Sequence, residues 1–371
     1  MHEDRREFLR LLACSALACP VAAAVDARAS AAPELEAHPA LHWKALDGGS
    51  VQCGLCPRGC VVSDGGRGAC GVRENRGGAY YTLVHSRPCS LNVDPIEKKP
   101  FFHFRPGTTA FSLATAGCNL HCRFCQNWEI SQARPEDLES AHVPPEEIVR
   151  RAVDSGARSI AFTYNEPTVF YEYVRDVCIA ARGTGLGRVV VSNGFIAEEP
   201  LRQLLPELDA IKIDFKSFAE SFYSDVCSAH LRPVLDTLTR IREAGTWLEM
   251  VMLTIPTLND DPSVVSAMCR WIVQKLGPDV PVHFTRFHPM YKLMDLPPTP
   301  VETLHRSRKI ALDAGIRYAY SGNVPGDPSE NTTCPKCGAT LVHRAGYVIV
   351  ENRISNGACP ACGTRIPGVW G

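Results

Sequence analysis

Cys118, Cys122 and Cys125 stand at the spacing C-x-x-x-C-x-x-C, directly after the apolar run Ala110–Thr115. Each iron of a 4Fe–4S cube takes one thiolate, so three cysteines hold three irons and leave the fourth open to a ligand that is not protein. An open iron can chelate an amino and a carboxylate group and pass an electron to the molecule that carries them. Taken alone, the triple also fits a three-ligand zinc site or three buried thiols. Its place in a loop after a strand-like run, with polar clusters after the later runs, favours the cluster.

Thirteen of the 17 cysteines fall into tight groups: 14 and 19; 53, 56, 60 and 70; the triple; and 334, 337, 359 and 362. Such spacing favours metal thiolates over a disulfide scaffold, which belongs to much smaller secreted domains. Cys334, Cys337, Cys359 and Cys362 form two C-x-x-C knuckles, each followed by glycine, with 21 residues between the pairs. That is close to a zinc ribbon, a closed site able to staple a segment too short for a core of its own. It reads as a structural lid for the main domain. Cys53, Cys56, Cys60 and Cys70 make a looser quartet suited to zinc or to an auxiliary iron–sulfur cluster, and spacing alone does not choose. Cys89, Cys178, Cys227 and Cys269 have no such neighbours and read as small buried or half-buried side chains.

The elements that must position these groups alternate. Strands are expected at Ala110–Thr115, Ser159–Tyr164, Arg188–Ser192, Ala210–Phe215, Leu248–Ile255 and Val282–Phe287, with a possible seventh at Tyr318–Ser321. Amphipathic stretches lie between them, such as Ile148, Val149, Ala152 and Val153, or Val264, Val265, Met268, Trp271 and Ile272. Six strand–helix repeats are short of the eight that close a barrel, so the expected fold is α/β, a partial (β/α)6 TIM-type barrel. Sites in parallel sheets sit at the carboxyl ends of strands, where Asn165, Glu166, Asn193, Asp214, Lys216 and His288 are found. The expected organisation is a signal segment over 1–31, a linker and Cys-rich extension over 32–107, the barrel over 108–326 and the ribbon-like tail over 327–371.

The stretch Gly117–Ser131 (GCNLHCRFCQNWEIS) carries the signature of the radical S-adenosylmethionine (SAM) superfamily and resembles its pyruvate formate-lyase activating enzyme branch. The blocks 94–100 (DPIEKKP), 163–167 (TYNEP), 191–194 (VSNG), 286–289 (RFHP) and 322–326 (GNVPG), with the two closing knuckles, resemble the radical SAM member of the AmmeMemoRadiSam system from about Cys53 to the C-terminus. The resemblance implies reductive cleavage of SAM at a 4Fe–4S cluster and hydrogen abstraction from a substrate by a 5′-deoxyadenosyl radical. It also implies an electron donor and, as partners, Memo-like and AMMECR-like proteins. Activating enzymes hold the SAM amino group on a Gly-Gly-Glu-Pro turn, matched here by Asn165-Glu166-Pro167 without the glycines. Asp214 and Lys216 match the family's Asp-x-Lys toward the SAM carboxylate, although a salt bridge across the barrel rim is the plainer alternative. Asn193 is placed near the ribose and His288 near the reacting end of SAM. A glycyl-radical activase and a non-catalytic, metal-stapled binding protein are the competing readings.

Net charge is −1, from 39 basic and 40 acidic residues, so no overall field draws a nucleic acid. Arg5 and Arg6, the uncharged run Leu11–Val25 and the small residues beyond it read as a twin-arginine export signal, too short for a transmembrane span. Export and a SAM-dependent activity point to opposite compartments.

Overall fold

The computed structural model describes residues 36–370, so the paired arginines, Cys14 and Cys19 lie outside the described residues. The N-terminal region forms β1 (His38–Pro39), β2 (Trp43–Ala45), β3 (Val51–Cys53), β4 (Val61–Val62), β5 (Arg73–Arg76) and β6 (Ala79–Thr82). They pair antiparallel as two three-stranded sheets, β2-β3-β4 and β1-β6-β5. The Cys-rich extension is therefore built of short strands joined by loops, and the loops carry Cys56, Cys60 and Cys70. A fully buried Arg73 donates to both carboxylate oxygens of Glu172, at 2.8 and 2.9 Å, and ties this region to α3 (Tyr171–Ala180). Such a bidentate pair fixes orientation, and losing either partner would strand a buried charge.

The main sheet has eight strands in sequential order: β7 (Ser90–Pro95), β8 (Thr109–Ala114), β9 (Ser159–Phe162), β10 (Gly187–Ser192), β11 (Ala210–Asp214), β12 (Trp247–Thr254), β13 (Val282–Arg286) and β14 (Ala319–Gly322). From β8 to β14 all pairings are parallel, which needs a crossover each time, whereas β7 adds antiparallel at the β8 edge. β7 and β14 are the unpaired edges, so the sheet is barrel-like and open. The seven expected strands lie within a residue or two of the observed ones. β7 was not anticipated, because its outward pattern, with Asn92 and Val93 exposed, shows no apolar alternation.

The crossovers are α1 (Trp128–Ser131) with α2 (Pro145–Asp154), then α3, α4 (Glu198–Leu204), α5 (Glu220–Cys227) with α6 (Leu231–Ala244), α7 (Pro262–Lys275) and α8 (Val301–Asp313). α7 shows why these segments are helices. Asp261 caps it by accepting from the Ser263 and Val264 amides, Pro262 takes the first turn, and Val265, Met268, Cys269 and Ile272 bury one stripe. Burying Val265, Met268 and Ile272 stabilises the packed state by about 1.5–3 kcal/mol each. Among the described residues no helix is long and apolar enough to cross a membrane.

The two ends of the sheet are built differently. Toward the amino ends of the strands, Ala110, Ala161, Val189 and Ala210 pack on Ile96, Phe101 and Phe104 from the β7–β8 connection. The tail, β15 (Thr332–Thr333), β16 (Thr340–Ala345) and β17 (Val348–Asn352), docks on this end. Arg344 lies 4.0 Å from the Phe102 ring centroid and donates to the Phe102 carbonyl, His103 bonds the Pro367 carbonyl at 2.7 Å, and Val369 bridges Phe104. The buried Glu249 near the start of β12 accepts the amides of Phe102 and His103. The tail is thus chiefly a base plate opposite the site rather than a lid over it. Only the β16–β17 turn, at Tyr347, reaches the rim of the cleft at the other end.

Candidate active site

Leaving β8, the chain turns at Gly117 with φ +87°, where a Cβ would sit 2.5 Å from Val72 and 2.6 Å from the Cys70 carbonyl. Only glycine fits so close an approach at positive φ. The loop that follows is pinned on its far side: the His121 and Arg123 amides donate to the Cys227 and Val226 carbonyls at the end of α5, and the Lys292 amide donates to Arg123. Cys118 accepts from the Leu120 amide at 3.4 Å, Cys125 lies 3.1 Å from the Ser131 hydroxyl, and the neighbouring buried Cys227 lowers the Cys122 pKa. All three loop cysteines line one cleft of about 420 Å³ at the carboxyl ends of the strands.

The cleft also collects Asn165, Asn193, Asp214 and Lys216. Asn165 donates to the Thr115 and Gly117 carbonyls, both at 2.7 Å, which leaves its buried Oδ1 without a partner. A buried acceptor left unpaired costs about 1–3 kcal/mol and calls for a donor, such as an ammonium group, in the cleft. Asn193 bonds Asn119 at 2.9 Å and stands 3.9 Å from the Cys118 sulfur, so its amide braces the cysteine loop. Asp214 is bridged to Lys212, and its other oxygen lies 4.0 Å from Lys216. Burial works against the Lys216 charge, yet the Cys122 thiolate and Asp214 hold its pKa above the ordinary lysine value. Lys216 also sits 5.5 Å from the Phe124 ring centroid.

Two expected residues are placed otherwise. Glu166 is fully buried and does not line the cleft; its carboxylate accepts from Asn193 N (2.7 Å), Ser192 Oγ (2.8 Å) and Thr168 N and Oγ1. It clamps the ends of β9 and β10 together, and burial raises its pKa against those donors. His288 is exposed and outside the cleft lining.

Residues not singled out from sequence complete the wall. Lys98 and Lys99 line the cleft, and both pair with Asp94, which also takes the Tyr164 hydroxyl. Burial brings the Lys99 ammonium down to about 8, with Asp94 opposing. Lys212 was legible in principle, since it stands two residues before Asp214 and so on the same face of β11. Cys227 gave no sequence signal, because only the fold brings α5 behind the cluster loop.

Among the described residues, two groups of metal-ligating atoms lie within 4.8 Å of one another. One is Cys334, Cys337, Cys359 and Cys362, with sulfur pairs at 3.5 and 3.7 Å. Tetrahedral zinc at 2.3 Å from each thiolate needs sulfurs about 3.8 Å apart, so this quartet has the spacing of a closed site. Gly338 and Gly363, at φ +74° and +70°, close each knuckle by donating to the Cys334 and Cys359 carbonyls. The other is His38, His85 and Asp176, which no motif announced; its two imidazoles stack at 3.9 Å. The triple at Cys118, Cys122 and Cys125 does not close to that spacing. A cube with one iron per thiolate suits the wider set, and the Asn165 acceptor suits a ligand beside it.

The sequence model of the Radical SAM superfamily matches residues 112–265, from β8 through the cysteine loop to the start of α7. The chain belongs to the radical SAM superfamily. It is 44% identical over 331 residues to the uncharacterized protein MJ0808 of Methanocaldococcus jannaschii, covering 88% of this chain and 98% of that one. Two solved structures are more weakly similar. A domain of pyruvate-formate lyase-activating enzyme from Bacteroides vulgatus is 17% identical, covering 44% of this chain and 99% of that one at a TM-score of 0.41. Streptococcus suis SuiB bound to its precursor peptide SuiA is 14% identical, covering 62% and 51% at 0.48.

Proposed function

We propose that this radical SAM protein cleaves SAM reductively and uses the 5′-deoxyadenosyl radical to take a hydrogen atom from a substrate of the AmmeMemoRadiSam system. One observation above all supports this: β8, β9, β10 and β11 end around a single cleft that holds Cys118, Cys122, Cys125, Asn165, Asn193, Asp214 and Lys216. A 4Fe–4S cluster on the three cysteines supplies, when bound, an open iron and the electron for sulfonium cleavage. The chain's own groups do the rest. Asn165 Oδ1 is an acceptor in want of a donor, suited to the SAM ammonium. Lys216, kept charged by its neighbours, suits the carboxylate, and Asp214 orients it. Phe124 offers an apolar face to the adenine, and Val191, Val251 and Leu253 in the cleft wall help exclude water.

Glu166 acts through Asn193 and the strand ends rather than on SAM. The C-terminal quartet holds zinc as a structural site. Assignment to the AmmeMemoRadiSam system draws on the sequence blocks around Asp94, Asn165, Asn193 and Asn323; of these residues Asn165, Asn193 and Asn323 line the cleft. Anaerobic turnover with deuterated Memo-like and AMMECR-like proteins tests it. Deuterium in 5′-deoxyadenosine with one of them supports the assignment, and SAM cleavage without transfer from either contradicts it.

A further inference from the structure

Cys53 ends β3, Cys56 and Cys60 lie in the β3–β4 loop and Cys70 in the β4–β5 loop, yet all four line one small cavity with Gly68, Arg73, Tyr80 and Asn119. The walls are prepared for a thiolate-bound group. Tyr80 and Arg73 are each 1% exposed, and Tyr80 Oη and Arg73 Nε have no hydrogen-bond partner. Two orphan donors on a cavity with four thiols are costly unless something there accepts from them. Gly68 leaves the space open, since a Cβ would sit 3.0 Å from Tyr80 Oη and 3.8 Å from the Cys60 sulfur.

The sulfur spacing separates this quartet from the C-terminal one. Among the described residues no three of its thiols come within 4.8 Å of one another, whereas the closed quartet of the tail does. Zinc draws four thiolates to about 3.8 Å. A cube gives each thiolate its own iron and sets the sulfurs wider apart, and its inorganic sulfides accept hydrogen bonds. The cavity also backs onto the catalytic loop. Arg58, between Cys56 and Cys60, donates to the Asn119 carbonyl at 2.5 Å, the Cys70 carbonyl packs on Gly117, and Cys70 and Cys118 line one groove.

We infer that Cys53, Cys56, Cys60 and Cys70 bind a second, fully cysteine-ligated iron–sulfur cluster, with Tyr80 and Arg73 as hydrogen-bond donors to it. Four thiolates leave it no open iron, so it does not take SAM. This goes beyond the proposed activity and does not depend on it.

The test uses the full chain purified anaerobically, with iron and zinc counted and electron paramagnetic resonance recorded with and without SAM. Wild type should carry about eight irons and one zinc. A Cys118→Ala/Cys122→Ala/Cys125→Ala variant should keep about four irons and a reduced-state signal that SAM leaves unchanged. A Cys56→Ala/Cys60→Ala variant should lose about four irons and keep its zinc. Tyr80→Phe leaves every thiol in place; it should shift the potential or line shape of the SAM-insensitive signal alone. Two zincs in wild type, with one lost in the Cys56→Ala/Cys60→Ala variant, would overturn the inference in favour of zinc. Absence of iron from the triple variant would overturn it too. Iron retained in the triple variant while wild type fails to cleave SAM would leave this site standing and remove the proposed activity.

Discussion

The cysteine loop after β8 and the knuckle pair of the tail use the same side chain to opposite ends. In the tail, four sulfurs close within 4.8 Å, the amide turns are complete, and the site lies at the amino ends of the strands, away from the cleft. In the loop, three sulfurs face a cleft beside a buried oxygen with no partner and a lysine kept charged by its neighbours. A site that has satisfied its own valences can only hold structure. One that leaves an acceptor, a cation and a coordination position open is arranged for a visitor.

Cys122 distinguishes the two sites most strongly. Cys122→Ala should lower 5′-deoxyadenosine formation by at least about 100-fold while zinc content stays unchanged. Wild-type cleavage by that variant would place the chemistry elsewhere. Cys337→Ser should do the reverse. Its zinc is lost and the tail destabilised by about 3 kcal/mol or more, because metal binding and folding are coupled in so small a segment. The SAM-responsive iron signal should survive, as read by metal analysis and resonance on the same sample.

Within the open site, Lys216→Met should raise the KM for SAM by roughly 10-fold with a smaller change in kcat, since it removes the charge proposed to meet the SAM carboxylate. An unchanged KM would return Lys216 to a salt bridge of the rim. The smallest effect belongs to the docked tail. Burial, then Asp327, lifts Glu330 to about 7 against the pull of Arg344. The folded state therefore keeps a proton that the unfolded chain releases near pH 4.5, and stability present below that pH is lost as pH rises to about 7. Glu330→Gln should melt roughly 2 °C higher than wild type at pH 8 and equal to it at pH 4. A difference that does not vary with pH would contradict this.

How much of this was legible follows from what each feature depends on. The seven parallel strands were, because each is a short apolar run between helical stripes, and so was the cysteine loop, whose three thiols are neighbours in sequence. β7 was not, since an edge strand with one face in water needs no apolar alternation. Glu166 was visible as a carboxylate at a strand end, but its inward turn onto Ser192 and Asn193 is decided by a neighbouring strand 26 residues away. The docking of the tail below the sheet, through Arg344 and His103, rests on contacts spanning up to 264 residues, beyond any local pattern.

We propose that Cys118, Cys122 and Cys125 hold a cluster whose open position takes SAM. Protein purified without oxygen, reduced with dithionite and mixed with SAM tests it in one sample, by resonance before and after addition and by chromatography of the nucleoside formed. A reduced-cluster signal should change on SAM addition, with 5′-deoxyadenosine appearing. A fully reconstituted protein whose signal ignores SAM and which forms no 5′-deoxyadenosine would contradict it.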